Sequence, residues 1–201
     1  MLSSLNFYYA KPGNEAAVLQ QRLVACDVRL ELGIPRGRVF ARTRGHGDLP
    51  DVVWEHVFED ISGHHADMAV RAASPAFEEV RVGMRKLCRR FERPLFQILG
   101  GENAVGDACV PALLSWDWIF CPADRTDEAL RIVQNAAQRI AQHPPQVSRL
   151  LRLISEGNDL PALLWQREYA EGAPIDAAQA DLIAECATAG VRVEASLWAA
   201  H

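Results

Sequence analysis

The stretch DLPDVVWEHVFED, residues 48–60, has a near copy in DLPALLWQREYAE, residues 159–171. The two stretches lie 111 residues apart, since 159 − 48 = 111. At this offset Trp54 aligns with Trp165. Self-similarity at a fixed spacing is the signature of a repeated structural unit. A duplicated unit should show the same offset elsewhere in the chain.

The same gapless offset extends upstream of both stretches. RVFARTRGHG (38–47) aligns with RLLRLISEGN (149–158), and LNFYYAKPG (5–13) aligns with WDWIFCPAD (116–124). Three segments in one register predict a tandem duplication.

The first copy begins with a strand and a helix. LNFYY is short, aromatic and bounded by Pro12-Gly13, which is typical of a strand. A helix begins after Asn14 and ends near Gly33. Steps of three and four residues predict one buried helical face, made of Ala16, Leu19, Leu23, Cys26 and Leu30.

A hairpin and a second helix follow. RVFART and VVWEHVFE flank a turn-rich connection and predict the hairpin. Ser74-Pro75 is typical of a helix start. The helix is predicted to continue to Pro94, and LFQIL (95–99) to form the last strand. Its predicted buried stripe consists of Phe77, Val80, Met84, Leu87 and Phe91.

The resulting order, β-α-β-β-α-β, is that of a ferredoxin-like unit. The second copy predicts the same order, with strands over 113–120, 149–154, 162–169 and 191–198 and helices over 127–142 and 176–189. We predict an α+β fold of two tandem units, residues 1–99 and 113–201, joined by a linker over 100–112. The strand over 52–59 carries apolar groups on both faces, so the two antiparallel sheets are expected to pack together as an intrachain α+β barrel.

Composition excludes several classes of protein. The 201 residues carry a net charge of −5, which disfavours nucleic acid as a partner. No apolar run approaches the ~20 residues of a membrane span. The five cysteines are widely spaced and odd in number, which favours reduced thiols in a cytoplasmic protein over disulfides or a zinc site.

WEHVFED (54–60) and SPAF (74–77) carry a family resemblance. The chain resembles the dimeric α+β barrel superfamily, especially proteins related to antibiotic-biosynthesis monooxygenases. The resemblance covers most of residues 5–99 and is weaker over 113–201, where Ser-Pro-x-Phe is absent. It implies a barrel built from ferredoxin-like units and a small-molecule site.

The chain departs from that family at positions that carry chemistry. Many relatives have a histidine three residues before the Ser-Pro pair, where this chain has Arg71. Haem-degrading relatives use an asparagine on the first strand, which Asn6 matches, but also a tryptophan and a helical histidine, where this chain has Arg71 and Arg81. The resemblance therefore disfavours haem degradation, and we expect no cofactor and no metal.

The third strand carries the main candidate site. Trp54, His56 and Phe58 alternate onto one face of it. Aromatic walls around one polar group describe a ligand pocket, and they equally describe a packed core. In a pocket, His56 could take a proton from a phenol. Strand one adds Asn6 and Tyr9 as candidate ligand-binding residues.

The densest polar cluster is GHHAD, residues 63–67. His64 is a second candidate general base, and His65 a candidate ligand-binding residue. His64, His65 and Asp67 could also hold a metal, but adjacent histidines seldom aim at one ion. The alternative is a polar turn that leads into a helix.

These observations predict a small-molecule-binding α+β barrel whose ligand is a small aromatic compound. Two alternatives remain open: a cofactor-independent monooxygenase acting on a small aromatic substrate, and a non-catalytic structural or assembly barrel. The protein is expected to be a monomeric pseudo-dimer or a homodimer, in the cytoplasm, with no nucleic-acid or membrane partner.

Overall fold

The computed structural model describes residues 1–45, 47–100, 113–139, 147–155, 159–169 and 176–201. The chain divides into two compact units. Unit 1 comprises Met1–Arg42, Asp48–Phe96 and Ala200–His201, and unit 2 comprises Thr43–Gly47 and Gln97–Ala199. The predicted boundaries at 99 and 113 stay predictions, and residues 101–112 of the predicted linker lie outside the described residues.

The first half of the chain contains the predicted elements and two additional ones. In chain order they are β1 (Leu2–Ala10), α1 (Glu15–Glu31), β2 (Arg38–Gly45), β3 (Val52–Phe58), α2 (Ile61–Ala73), α3 (Pro75–Leu87), β4 (Cys88–Glu92) and β5 (Leu95–Gly100).

The sheet of unit 1 has the ferredoxin-like order. β3 pairs antiparallel with both β2 and β1, and β1 pairs antiparallel with β4. The order is therefore β4-β1-β3-β2. Its fourth strand is β4 and not LFQIL (95–99), the strand predicted for that place. The core of unit 1 contains Tyr8 and Trp54 from the sheet together with Val18 of α1 and Phe77 of α3.

The prediction for the buried face of α1 is confirmed at Cys26, and Leu19 and Leu23 pack against the core, but Ala16 and Leu30 at its two ends are exposed. The other buried residues of the helix are Val18, Arg22, Ala25 and Arg29. The spacing of Val18, Arg22, Ala25 and Arg29 is as helical as that of the leucines. The helix therefore turns two arginines toward the core.

The predicted start of α3 is confirmed, but its predicted end at Pro94 is wrong. The Ser74 hydroxyl accepts a hydrogen bond from the amide of Phe77 at 3.2 Å, so Ser74 caps the helix as expected. The helix ends at Leu87, because Cys88 adopts extended backbone angles and β4 pairs with β1, placing Phe91 opposite Tyr8. Phe91 is consequently 44% exposed rather than on a helical core stripe.

The second half of the chain gives one more ferredoxin-like sheet. β8 pairs antiparallel with β7 and β6, and β6 pairs with β9, which gives the order β9-β6-β8-β7. Residues 140–142 of the predicted helix over 127–142 lie outside the described residues. The elements are β6 (Leu113–Phe120), a 3₁₀ turn (Ala123–Arg125), α4 (Thr126–Arg139), β7 (Val147–Leu153), β8 (Leu163–Tyr169), α5 (Asp176–Thr188) and β9 (Arg192–Ala200).

Strand registers in the two units match at the offset seen in the sequence. Trp54 pairs with Asn6 on β1 and with Val39 on β2. Trp165 pairs with Asp117 on β6 and with Leu150 on β7. Every partner in unit 2 has the number of its counterpart in unit 1 plus 111.

The predicted α+β class with antiparallel sheets is confirmed. Within the described residues, no helix combines the length and the apolar character needed to cross a membrane.

Candidate functional site

Unit 1 contains a cavity of about 220 Å³ between its sheet and its helices. Four aromatic side chains form much of its wall. Tyr8 and Trp54 come from the sheet, Phe77 from the first turn of α3, and Phe91 from β4. The Trp54 and Phe77 rings stack at 6.2 Å between centroids, and the Tyr8 and Phe91 rings at 5.1 Å.

Five arginines also line the cavity, together with Met84 and Cys88. Arg22 and Arg71 are almost fully buried, at 3% and 4% exposure, while Arg81 and Arg93 are half-buried and Arg85 is exposed at the surface. Positive charge thus extends from the interior of unit 1 to its surface along one cavity.

Carboxylates neutralise only part of this charge. Asp67 of α2 binds two guanidinium groups, that of Arg71 at 2.8 Å and that of Arg29 at 2.6 Å. Glu78 forms an ion pair with Arg81. Arg22 and Arg93 form no ion pair in the part of the chain that the structure describes.

The arginine pKa values reflect this excess of positive charge. Burial lowers the pKa of Arg71 to about 10, and repulsion from Arg93 and Arg29 adds to the effect, against the attraction of Asp67. The pKa of Arg93 is also lowered, first by burial and then by Arg81 and Arg22. An anion in the cavity would relieve both the repulsion and the loss of hydration.

His56 lies on the helix-facing side of β3 but is not among the residues that line the cavity. The imidazole is 3% exposed and meets the Trp54 ring edge-on, with centroids 4.3 Å apart. Neither ring nitrogen has a hydrogen-bond partner among the described residues. Burial, followed by repulsion from Arg29 and Arg71, holds the pKa of His56 well below its usual value. The side chain is therefore neutral at pH 7, and its catalytic role stays a prediction.

A glycine makes room for this imidazole. Gly37 has a φ of +78°, and a Cβ added there would lie 2.4 Å from the His56 ring and 2.7 Å from the Glu55 carbonyl oxygen. Only glycine adopts this backbone conformation readily and also leaves room for the His56 ring so close to its Cα.

The other predicted residues of β1 and β3 have different surroundings. Asn6 is buried beside the cavity, where its amide donates to the Trp54 carbonyl at 3.1 Å and accepts from Arg93 at 2.9 Å. Tyr9 points away from the cavity and donates to Glu92 at 3.0 Å. Burial and the Glu92 charge raise the pKa of Tyr9. Phe58 is half-buried outside the lining.

His64 and His65 lie in the first turns of α2. The His64 ring meets Phe58 edge-on at 5.3 Å, and burial followed by repulsion from His65 lowers the pKa of His64. Asp67 is directed to Arg29 and Arg71 instead of toward the histidines. Across the described ranges, no three His, Cys, Asp or Glu side chains come together as a metal site.

Among the predicted residues, the structure places Trp54 in the cavity wall and Asn6 next to it. The sequence interpretation missed the arginines as cavity residues. Arg22, the lining arginine of α1, interrupts an apparently amphipathic helix, as does Arg29. The available signal was the helical spacing of Val18, Arg22, Ala25 and Arg29, in which two charged residues share a face with small apolar ones.

In unit 2, the buried Arg167 has a carboxylate partner. Arg167 is fully buried and binds Asp117, a carboxylate of its own unit. Its guanidinium also reaches the Tyr169 hydroxyl at 3.1 Å, and Gln179 donates to Asp117 at 2.8 Å. All the members of this network lie within unit 2, so its charge is balanced internally.

Comparisons with known proteins support the fold alone. No family model matches the sequence, and no curated protein sequence is significantly similar to it. A candidate monooxygenase from Fusobacterium nucleatum is 9% identical with a TM-score of 0.65, covering 99% of this chain and 91% of that one. An anthrone oxidase-like protein is 12% identical with a TM-score of 0.61, covering 98% and 90%. A candidate monooxygenase from Lactobacillus acidophilus is 11% identical with a TM-score of 0.52, covering 98% and 93%. This is the α+β barrel class that the sequence predicts.

Proposed function

We propose that unit 1 binds a small aromatic molecule in the cavity between its sheet and its helices. The observation that carries this proposal is the wall formed by Tyr8, Trp54, Phe77 and Phe91. Aromatic side chains bind rings through offset stacking and edge-to-face contacts. A few polar groups in an otherwise apolar concavity are the usual composition of a small-molecule site.

The size of the cavity suits one substituted ring or a compact two-ring compound. Its volume is about 220 Å³. An apolar cavity of roughly 150 Å³ is large enough to hold benzene. A small-molecule role is also in line with the structural neighbours, which are described as candidate monooxygenases and an anthrone oxidase-like protein and share the fold at 9–12% identity.

The runner-up is a cofactor-independent monooxygenase, which requires a base that can take a proton from the substrate. The residues that line the cavity offer the Tyr8 hydroxyl and the Cys88 thiol, and burial raises the pKa of Cys88. His56 and His64, the predicted bases, lie outside the lining. We therefore propose that unit 1 binds a small aromatic molecule. Catalytic turnover of that molecule is one possible outcome of the test below.

The test is isothermal titration calorimetry with substituted benzenes and naphthalenes, on the unaltered protein and on Phe91→Ala. Phe91 is 44% exposed and lines the cavity, so its removal should weaken binding while the fold is retained. The control is Phe120→Ala, a half-buried phenylalanine of unit 2, which should leave binding unchanged. Absence of any aromatic ligand would favour a structural or assembly barrel. Oxygen consumption with a bound compound would establish an enzyme.

We also propose that the two units arose by duplication, with domains over 1–99 and 113–201. The supporting observation is the shared register, in which Trp54 pairs with Asn6 and Val39 as Trp165 pairs with Asp117 and Leu150. Expression of 1–99 alone tests it, because an independent unit should fold cooperatively.

A cytoplasmic location and a monomeric pseudo-dimer or a homodimer remain part of the proposal. The described cysteines Cys26, Cys88, Cys121 and Cys186 are unpaired, which fits a reducing compartment. Light scattering in dilute solution would distinguish a monomer from a homodimer.

A further inference from the structure

Arg22 differs from the other cavity residues in having a buried guanidinium with two nitrogens that are unpaired within the described ranges. Its side chain is 3% exposed, and one terminal nitrogen, Nη1, donates to the Tyr8 hydroxyl at 3.0 Å. Nε and Nη2 have no hydrogen-bond partner among the described residues. The Tyr8 and Trp54 rings lie 4.7 and 5.2 Å from the guanidinium carbon, so aromatic faces contact a cation that forms no ion pair with any described residue.

Arg93 adds a second guanidinium that binds no carboxylate among the residues that the structure describes. Its Nε donates to the Asn6 amide oxygen at 2.9 Å, and its Nη1 lies 3.3 Å from the Met68 sulfur. An amide oxygen is a neutral acceptor, and a thioether is a weak one. The nearby carboxylate of Asp67 already forms ion pairs with Arg29 and Arg71.

Buried cations without partners are unfavourable, and proteins usually pair them. Unit 2 does this with an internal carboxylate, because Asp117 binds the buried Arg167. The position in unit 1 that corresponds to Asp117 is Asn6, since 117 − 111 = 6, and both residues pair with the equivalent tryptophan. Unit 1 therefore has a neutral amide at this position, hydrogen-bonded to Arg93, which forms no ion pair within the described part of the chain.

We propose that the ligand of unit 1 is an aromatic carboxylate, whose carboxylate group binds Arg22 and Arg93 and whose ring packs against the aromatic wall. This inference rests on the proposed binding function and names its ligand class. A planar carboxylate accepts two parallel N–H bonds from a guanidinium group. The Nε and Nη2 atoms of Arg22 lie on one edge of the guanidinium and can supply such a pair.

The experiment compares matched ligands by calorimetry: 1-naphthoate, its neutral analogue 1-naphthalenemethanol, 1-naphthylphosphonate, and acetate as an anion without a ring. We expect naphthoate to bind at least about tenfold more tightly than the alcohol, as loss of a charge-assisted hydrogen-bond pair implies. Arg22→Met and Arg93→Met should each reduce this preference at least about fivefold, while the affinity for the alcohol changes less than about threefold. The control Arg89→Met, an exposed arginine outside the cavity, should keep the full preference.

The apo protein provides a second readout. Arg22→Met removes an unpaired buried charge, so its melting temperature should not fall below that of the unaltered protein. Arg29→Met breaks an ion pair with Asp67 and should lower the melting temperature. A fall for Arg22→Met as large as that for Arg29→Met would assign Arg22 a structural role and overturn the inference.

The remaining outcomes separate this inference from the proposed function. Equal binding of naphthoate and the alcohol overturns the carboxylate site and leaves the aromatic pocket standing. Tighter binding of the phosphonate than of naphthoate overturns the carboxylate class. An anion preference that survives in both Arg22→Met and Arg93→Met also overturns the inference, because the anion then binds elsewhere. Failure of every ring compound to bind overturns the proposed function as well.

Discussion

Mild acid should destabilise the fold through His56, and replacing this residue with phenylalanine should remove that part of the pH dependence. The imidazole is buried beside Trp54, and neither nitrogen has a hydrogen-bond acceptor among the described residues. Protonation in the folded state would place another charge near Arg29, Arg71 and Arg93, which is why burial and these arginines lower the pKa of His56.

The sign and the size of the effect follow from linkage between folding and protonation. The histidine of the unfolded chain binds a proton below about pH 6.5, while the folded protein does so only at much lower pH. The stabilising contribution of neutral His56 is thus complete above about pH 6.5 and is lost as the pH falls, at about 1.4 kcal/mol per pH unit. Between pH 7.5 and 5.5, the unaltered protein should lose about 1.4 kcal/mol more unfolding free energy than His56→Phe.

The assay is urea unfolding at pH 7.5 and 5.5, followed by tryptophan fluorescence and linear extrapolation. Only the difference between the two pH values is compared, so a uniform change in stability caused by the phenylalanine ring cancels. The control is His65→Gln at an exposed position, which should retain the behaviour of the unaltered protein. If His56→Phe and the unaltered protein lose the same free energy, His56 is protonated or paired in the folded state and the reasoning is refuted.

Three further changes test the packing. Gly37→Ala should destabilise the fold by more than about 2 kcal/mol in denaturant melts, because the left-handed backbone and the His56 contact both oppose a Cβ. The control Gly13→Ala, with φ +83° and nothing within 4 Å of an added Cβ, should cost only about 1 kcal/mol. Equal costs would show that the His56 contact is unimportant. Asp117→Asn should cost about 3–5 kcal/mol, since it leaves a fully buried guanidinium without its carboxylate, and a cost below about 1 kcal/mol would contradict the buried ion pair. Ser74→Ala should cost about 1 kcal/mol through loss of the α3 cap, and restoration by Ser74→Asp but not by Ser74→Val would identify capping as the cause.

Local signals placed most of the secondary structure correctly. Aromatic and β-branched runs bounded by glycine and proline predicted β1 and the β2–β3 hairpin, and Ser74-Pro75 predicted the start of α3. These features act within a few residues, so the sequence alone is sufficient to reveal them. The end of α3 did not follow the local pattern, because Cys-Arg-Arg-Phe-Glu is compatible with a helix until β1 offers it hydrogen bonds as a strand.

The candidate site was predicted only in part. Trp54 lies in the cavity wall and Asn6 next to it, whereas His56, Phe58, Tyr9, His64 and His65 lie outside the lining. Strand alternation correctly placed Trp54 and His56 on one face, but it could not show which of them reaches an open space. That outcome depends on what packs above each side chain, here α3 above Trp54 and Gly37 against His56.

The sequence by itself determined the offset of 111 and most of the elements, although not α2 or β4, because helical periodicity, strand alternation and repetition are local properties of the chain. Only the tertiary structure decided which face of α1 is buried, and so placed Arg22 beside Tyr8 and Trp54. Hydrophobicity alone does not place an arginine on the buried face. Arg22 and Arg29 are buried beside Cys26 because Asp67 of α2 supplies a carboxylate to Arg29, and because β1 and β3 supply aromatic rings to Arg22. These partners lie far apart in the sequence, so the charge of the cavity emerges only when the sheet and the helices pack together.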